Sequence, residues 1–179
     1  MYEVELKIRA DHDSIRERLG ARATRERSVT QTDTYYDAPH RDFAETDEAV
    51  RVRIEQERED DPVAKLTYKG PLLDSESKTR EEHETVVADE DAVRGILDGL
   101  GFEPAATVEK DRTFYALDGY TLTLDVVSGL GEFVEIETEV DTESEIPAAR
   151  DRARDLLATL GVDHEETIQT SYLGLLLAK

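Results

Sequence analysis

The sequence contains no cysteine, so neither disulfides nor a thiolate centre can take part in its folding or chemistry. Lysine is scarce. Only Lys7, Lys65, Lys69, Lys78, Lys110 and Lys179 stand against 16 arginines, and 43 acidic residues bring the formal net charge to -21. Acid excess with few lysines is expected of a protein kept hydrated in concentrated salt, which screens the self-repulsion of such charge. A halophilic cytoplasm is the setting it suggests. A basic footprint is missing over the chain as a whole, which argues against duplex nucleic acid as a partner. Long apolar runs are missing too: the longest, Leu175 to Ala178, cannot span a bilayer. No signal peptide is expected from its opening residues. The expectation is a cytoplasmic protein with no membrane or nucleic-acid partner, built as one domain over 1–179.

What is present is alternation. In residues 3–9, Glu3, Glu5, Lys7 and Arg9 point to one side while Val4, Leu6 and Ile8 point to the other, the pattern of a strand. It recurs over 31–37, 49–55 (Arg51 and Arg53 opposite Val50, Val52 and Ile54) and 63–69 (Lys65, Thr67, Lys69). Further copies fall at 80–87 (Arg80, Glu82, Glu84), 108–116 (Lys110, Arg112, Phe114), 120–126 (Thr121, Thr123, Asp125) and 133–140 (Glu135, Glu137, Glu139). Helices are expected over 11–19 with Asp11 or Asp13 as cap, from Asp89 to the stop at Gly101, and over 147–160. Thr170 is expected to cap a short helix through Leu177. The polar segment 72–79 reads as a mobile loop. His12, His40, His83 and His164 fit no ligand spacing and are expected at surface or loop positions. Three times a Glu-x-Glu strand precedes a helix ending in Leu-Gly, at 19–20, 100–101 and 160–161, a weak structural repeat.

Nearly every strand thus has one apolar and one charged face. The helices must bury their apolar stripes against the apolar strand faces, which leaves two arrangements: an open sheet with its charged face in water, or a closed barrel with its charges inside. Composition favours the barrel. An exterior rich in acid should put acids outside, yet Lys7, Lys65, Lys69 and Lys110 all sit at matched strand positions, joined by Arg51, Arg53, Arg80 and Arg112. Eight inward cations repel one another unless an anion lies between them, and phosphate chains suit Lys and Arg best. The acids on the same faces, Glu3, Glu5, Glu135 and Glu137, with Asp125, Glu82 and Glu84 as further candidates, supply hard oxygen ligands that point to Mg²⁺ or Mn²⁺.

These stretches resemble a known family. Glu3-Val4-Glu5-Leu6-Lys7 is similar to the N-terminal E-x-E-x-K signature of the CYTH superfamily, the triphosphate tunnel metalloenzymes. Arg51-x-Arg53, Lys65-x-Thr67-x-Lys69-Gly70-Pro71, Arg80-x-Glu82-x-Glu84, Lys110-x-Arg112 and the run from Leu124 to Glu137 resemble its other motifs in register. The resemblance implies an α+β fold, an eight-stranded antiparallel closed barrel with helices packed outside. It further implies triphosphate binding by Lys7, Arg51, Arg53, Lys65, Lys69, Arg80, Lys110 and Arg112, metal on Glu3, Glu5, Glu135 and Glu137, and a possible homodimer. The stretches 66–71 and 124–137 most resemble the class IV adenylate cyclase branch, which converts ATP to cyclic AMP and pyrophosphate; Asp125 is a candidate catalytic residue. Triphosphatase relatives instead activate water with a lysine-tyrosine pair, which falls here on Lys69 and Tyr35. A non-catalytic polyphosphate or nucleotide binder is the third reading.

Overall fold

The computed structural model describes residues 2–20, 22–73 and 76–179. Eight antiparallel strands form a closed barrel: β1 (Tyr2–Arg9), β2 (Thr24–Asp37), β3 (Ala49–Gln56), β4 (Val63–Lys69), β5 (Lys78–Val87), β6 (Glu103–Leu117), β7 (Tyr120–Val127) and β8 (Gly131–Val140), in the order β1-β5-β4-β3-β2-β6-β7-β8. β8 returns to β1 and closes the ring, with Tyr2 opposite Val140 and Arg9 opposite Phe133. The period-two pattern explains why the ring closes with its charges inside. One face of each strand can leave water only against a helix, and the other must then face the axis.

The helices are α1 (His12–Leu19), α2 (Phe43–Thr46), α3 (Glu90–Gly99), α4 (Ile146–Thr159) and α5 (Tyr172–Leu177). The main core lies between the barrel wall and the helices, where Leu6 and Ile8 of β1, Leu122 and Leu124 of β7, and Val134 and Ile136 of β8 meet Ile15 and Leu19 of α1 and Leu156 and Leu157 of α4. Burying each such side chain contributes about 1.5–3 kcal/mol. A second cluster joins Val50 and Val52 of β3 with Phe43 and Leu97.

The ends of the helices follow local chemistry. Asp11 accepts a hydrogen bond from the Ser14 amide at 2.9 Å, Asp89 does the same for Ala92 at 2.9 Å, and Pro147 stands in the first turn of α4. For α5 the cap is Ser171, whose Oγ accepts from the Gly174 amide at 3.0 Å; the expected Thr170 lies one residue too early to reach that amide.

Three further expectations are corrected. The strand expected from Gln31 begins at Thr24, because Thr24 to Arg27 pairs with β6 while both of its faces remain wet, so no apolar alternation marks it. The segment read as a loop over 72–79 gives up Lys78 and Thr79 to β5; these two and Ser77 before them are buried, and the Leu73 amide donates to the Thr79 carbonyl at 2.8 Å. Asp74 and Ser75 of that reading lie outside the described residues. His12 is buried at the start of α1, its Nε2 2.9 Å from the Phe133 carbonyl oxygen. No described helix is long and apolar enough to cross a membrane.

The repeat suspected in the sequence has a spatial meaning. The strands carrying Glu-x-Glu are β1, β5 and β8, each followed by a helix, and in the ring they are neighbours, β5-β1-β8. One wall of the barrel is therefore rich in carboxylates.

Candidate functional site: a charged tunnel along the barrel axis

The barrel encloses a space of roughly 290 Å³ lined by ten of the chain's 22 lysines and arginines. All eight cations expected to face inward line it, as do Glu3, Glu5, Glu135, Glu137 and Tyr35. Asp125 does not; it pairs across the strands with Arg112 and has no exposed surface, covered by the Arg112, Lys110 and Tyr172 groups that bond it.

The carboxylates divide by their partners. Glu3, Glu5 and Glu137 each bring a carboxylate oxygen within 4.8 Å of the others. Glu5 and Glu137 are also direct cross-strand partners, an arrangement of like charges that is destabilising without a cation. Burial, followed by the charge of Glu3, pushes the Glu137 carboxyl up to about 8. Burial raises Glu3 as well, against the pull of Lys69. Three oxygen donors under mutual repulsion, one buried and two half-buried, fit a hard divalent ion such as Mg²⁺ or Mn²⁺. Glu135 stands apart: it accepts a hydrogen bond from Arg112 and lies 3.9 Å from Lys7. Burial opposes its charge, but Arg112, Lys110 and Lys7 outweigh burial and hold it well below the usual carboxylate range.

The cations divide in the same way. Arg53 is locked on Asp33 through two bonds of 2.6 and 2.7 Å. Arg112 is locked on Asp125 at 2.7 and 2.5 Å. Arg51, by contrast, meets Asp33, Glu82 and Glu84 only at 3.5–3.7 Å, and Lys7 meets Glu5 at 3.8 Å. Lys78 has no ion-pair partner among the described residues. Burial and then Lys7 lower its ammonium to about 8, and burial and Arg112 do the same for Lys110, to about 8. A guanidinium saturated by a carboxylate supports the wall, whereas one held by long contacts can turn to an incoming phosphate.

Residues 1–172 match the CYTH domain. A Methanocaldococcus jannaschii protein named "Putative adenylate cyclase" is 34% identical over 179 residues, covering 98% of each chain. This chain belongs to the CYTH family. An adenylate cyclase of Aeromonas hydrophila is 26% identical over 142 residues, 79% of this chain and 70% of its own. The solved structure of a Pyrococcus horikoshii protein superposes with a TM-score of 0.92 at 43% identity, covering 98% of both chains.

Within this CYTH barrel, several tunnel residues escape the sequence reading. Lys78 continues the alternation of Arg80 and Glu82 backward by two, past the expected strand start, and Glu55, the last residue of the strand expected over 49–55, continues that of Arg51 and Arg53 forward by two, so the period of two finds both. Glu55 is held by Arg27 at 2.6 Å and by Gln31 at 2.6 Å. Asp33, the counter-ion of Arg51 and Arg53, sits in a strand whose alternation reads only as β-rich. Tyr172 gives no signal. It arrives from α5, donates to Asp125 at 2.9 Å, and lies under the ammonium groups of Lys7 at 4.4 Å and Lys110 at 5.1 Å.

The sorting of cations predicts that Arg51→Ala weakens binding of inorganic triphosphate by about 10–100-fold, the worth of one or two charge-assisted hydrogen bonds. Titration calorimetry measures it. Unchanged affinity would mean that the phosphate chain does not reach β3.

Proposed function

We propose that this chain is a divalent-metal-dependent enzyme acting on nucleoside triphosphates, a class IV adenylate cyclase that converts ATP to cyclic AMP and pyrophosphate, working as a single domain. The observation carrying this reading is the convergence of Glu3, Glu5 and Glu137 in the same closed tunnel that Arg51, Lys65, Lys69 and Lys78 line. A Mg²⁺ or Mn²⁺ ion held by those carboxylates supplies charge neutralisation at the phosphate oxygens. The chain's own cations do the remaining work. Arg51, Lys65 and Lys78 grip the β- and γ-phosphates, which leave together as pyrophosphate, and Lys7 and Lys110, near the acidic wall, offset the charge that builds on the oxygen bridging the α- and β-phosphates as its bond to the α-phosphorus breaks. Positioning and charge stabilisation suffice, and no covalent nucleophile is needed.

The triphosphatase route would have Lys69 and Tyr35 activate water. Lys69 Nζ lies 3.3 Å from Glu3 and 2.5 Å from Glu82; burial opposes its charge, but these two outweigh burial and hold the ammonium above its ordinary range. It also pairs with Ala49, two residues along β3 from the Arg51 that faces Tyr35. An ammonium so held is a poor proton acceptor, which favours the cyclase reading.

The deciding experiment offers ATP, inorganic triphosphate and thiamine triphosphate separately in high-potassium buffer with Mn²⁺ or Mg²⁺, with products resolved by mass spectrometry. Cyclic AMP with pyrophosphate is the expected result. Orthophosphate without cyclic AMP would make the chain a triphosphatase, and binding without turnover would make it a triphosphate binder.

A further inference from the structure

The cation rows of the tunnel stop short of one end. On β3 and β4 they run from Lys69, opposite Ala49, to the cross-strand pair Arg53 and Lys65, four residues or about 13 Å along the strand. The next positions in the same alternation are Glu55 and Val63, again cross-strand partners. On β5, Lys78 and Arg80 likewise give way to Glu82 and Glu84, and then to Val86. We infer that Glu55 sets the length of the phosphate chain that the tunnel accepts, admitting three phosphates and excluding a fourth. The inference rests on the tunnel being the triphosphate site, and it names a residue that neither the three-glutamate cluster nor the phosphate grip uses.

Glu55 is buried, lines the tunnel and is already occupied. Arg27 donates to one of its carboxylate oxygens at 2.6 Å, Gln31 Nε2 donates to the other at 2.6 Å, and Lys65 Nζ lies 3.6 Å away. Burial opposes its charge, but the bonds from Arg27 and Gln31 and the charge of Lys65 outweigh burial and hold the carboxyl below its usual range. The carboxylate therefore sits on the two cations that a further phosphate would need. It offers a phosphate oxygen no donor and repels it. Arg27 is braced in turn, its guanidinium 4.3 Å from the centre of the Phe114 ring, so the stop is held from the mouth side.

Gln31 adds a second obstacle. It also lines the tunnel, and with its Nε2 turned to Glu55 its Oε1 is left buried with no donor among the described residues. Only this orientation of the amide can meet an ionised carboxylate, so Glu55 fixes it. Beyond Arg53 and Lys65 an entering anion thus meets two groups that accept and do not donate. A fixed end also fixes register: a three-phosphate chain stopped here holds its α-phosphorus at one distance from the stop, and a longer chain would shift it.

The test compares chain lengths. Calorimetry measures inorganic triphosphate and inorganic tetraphosphate, in Mg²⁺ buffer, on the wild-type chain and on Glu55→Gln, whose amide keeps an acceptor for Arg27 and loses the charge. The wild-type chain should bind triphosphate at least about tenfold more tightly than tetraphosphate. In Glu55→Gln that ratio should fall by about tenfold or more, because Arg27 and Lys65 are released to a fourth phosphate. Glu55→Met, similar in length and uncharged, gives the same readout should the amide variant fail to fold. A residue that only braced the wall would lower both affinities together and leave the ratio where it was; an unchanged ratio in a folded variant would overturn the assignment. Equal affinity of the wild-type chain for the two ligands would overturn it without any variant, and would leave the tunnel reading standing. If triphosphate fails to bind the wild-type chain, the tunnel reading falls and the length assignment with it.

Discussion

Arg112→Ala is expected to destabilise the folded protein by about 3–5 kcal/mol, the effect of removing one partner from a buried ion pair. Arg112 bonds Asp125, which is completely buried, and Glu135, which is 4% exposed. Lys110 lies 3.3 Å from the same Asp125 oxygen that Tyr172 reaches, but burial and Arg112 already lower its ammonium, and it cannot replace a bidentate guanidinium. Urea unfolding measures the loss. The exposed pair of Arg16 with Asp13, 3.3 Å apart, is the control, and Arg16→Ala should change stability by no more than about 0.5 kcal/mol.

The pH dependence has a definite sign. In the wild-type protein the Glu135 carboxyl is held well below its ordinary value, so its contribution is present above the ordinary carboxyl range and is lost as pH falls toward the depressed value. Without Arg112, the largest effect opposing burial at Glu135 is gone, so its carboxyl rises relative to the wild type and the variant recovers stability as pH falls. The gap between variant and wild type should narrow on acidification. A loss below about 1 kcal/mol at pH 8 would mean that the network does not hold this wall together.

The second large effect is on activity. Glu137→Gln should lower metal-dependent turnover by at least ~10²-fold, since a metal ligand is worth several kcal/mol of charge stabilisation, while leaving the fold intact. Stability supplies a readout independent of turnover. The folded Glu137 carboxyl is raised to about 8 by burial and then Glu3, so its contribution is present below the ordinary carboxyl range and is lost as pH rises through about 8. At about pH 8.5 the metal-free wild-type protein therefore holds repelling carboxylates, and the amide should make the metal-free variant the more stable of the two. Added Mn²⁺ should raise the melting temperature of the wild-type protein more at pH 8.5 than at pH 6, and should leave the variant unmoved. An undiminished Mn²⁺ shift in Glu137→Gln would take this residue out of the ligand set.

Much of the barrel was legible because alternation is a local signal. Glu3, Glu5 and Lys7, or Arg51 and Arg53, declare a shared face within five residues, and the scarcity of lysine elsewhere shows which way that face turns. What escaped lacks one of those conditions. Lys78 lies just beyond a polar stretch without apolar partners, so its strand seemed to begin two residues later. His12 is polar by type, yet it is buried because the Phe133 carbonyl receives it, a contact across 121 residues. The split of the four glutamates into a cluster of three and an arginine-bound Glu135 follows from side-chain geometry in three dimensions, since all four occupy equivalent positions in the alternation. The same holds for Lys69 and Tyr35: both face inward, and only the register shows them offset.

The seam between β1 and β8 bears on how the protein is made. The first strand finds one of its two neighbours only when the chain has reached residue 140, its partner at Tyr2. At about 5–20 residues per second of synthesis, β1 waits on the order of 7–30 s with its apolar side unprotected and its sheet edge unsatisfied. The Glu5–Glu137 pairing forms at that same seam. Ring closure and completion of the three-glutamate cluster are thus one late event, slow by the logic of long-range contacts. A divalent ion present in the cell at that moment would act on the nascent chain as a clasp, tying its beginning to a segment that has only just emerged.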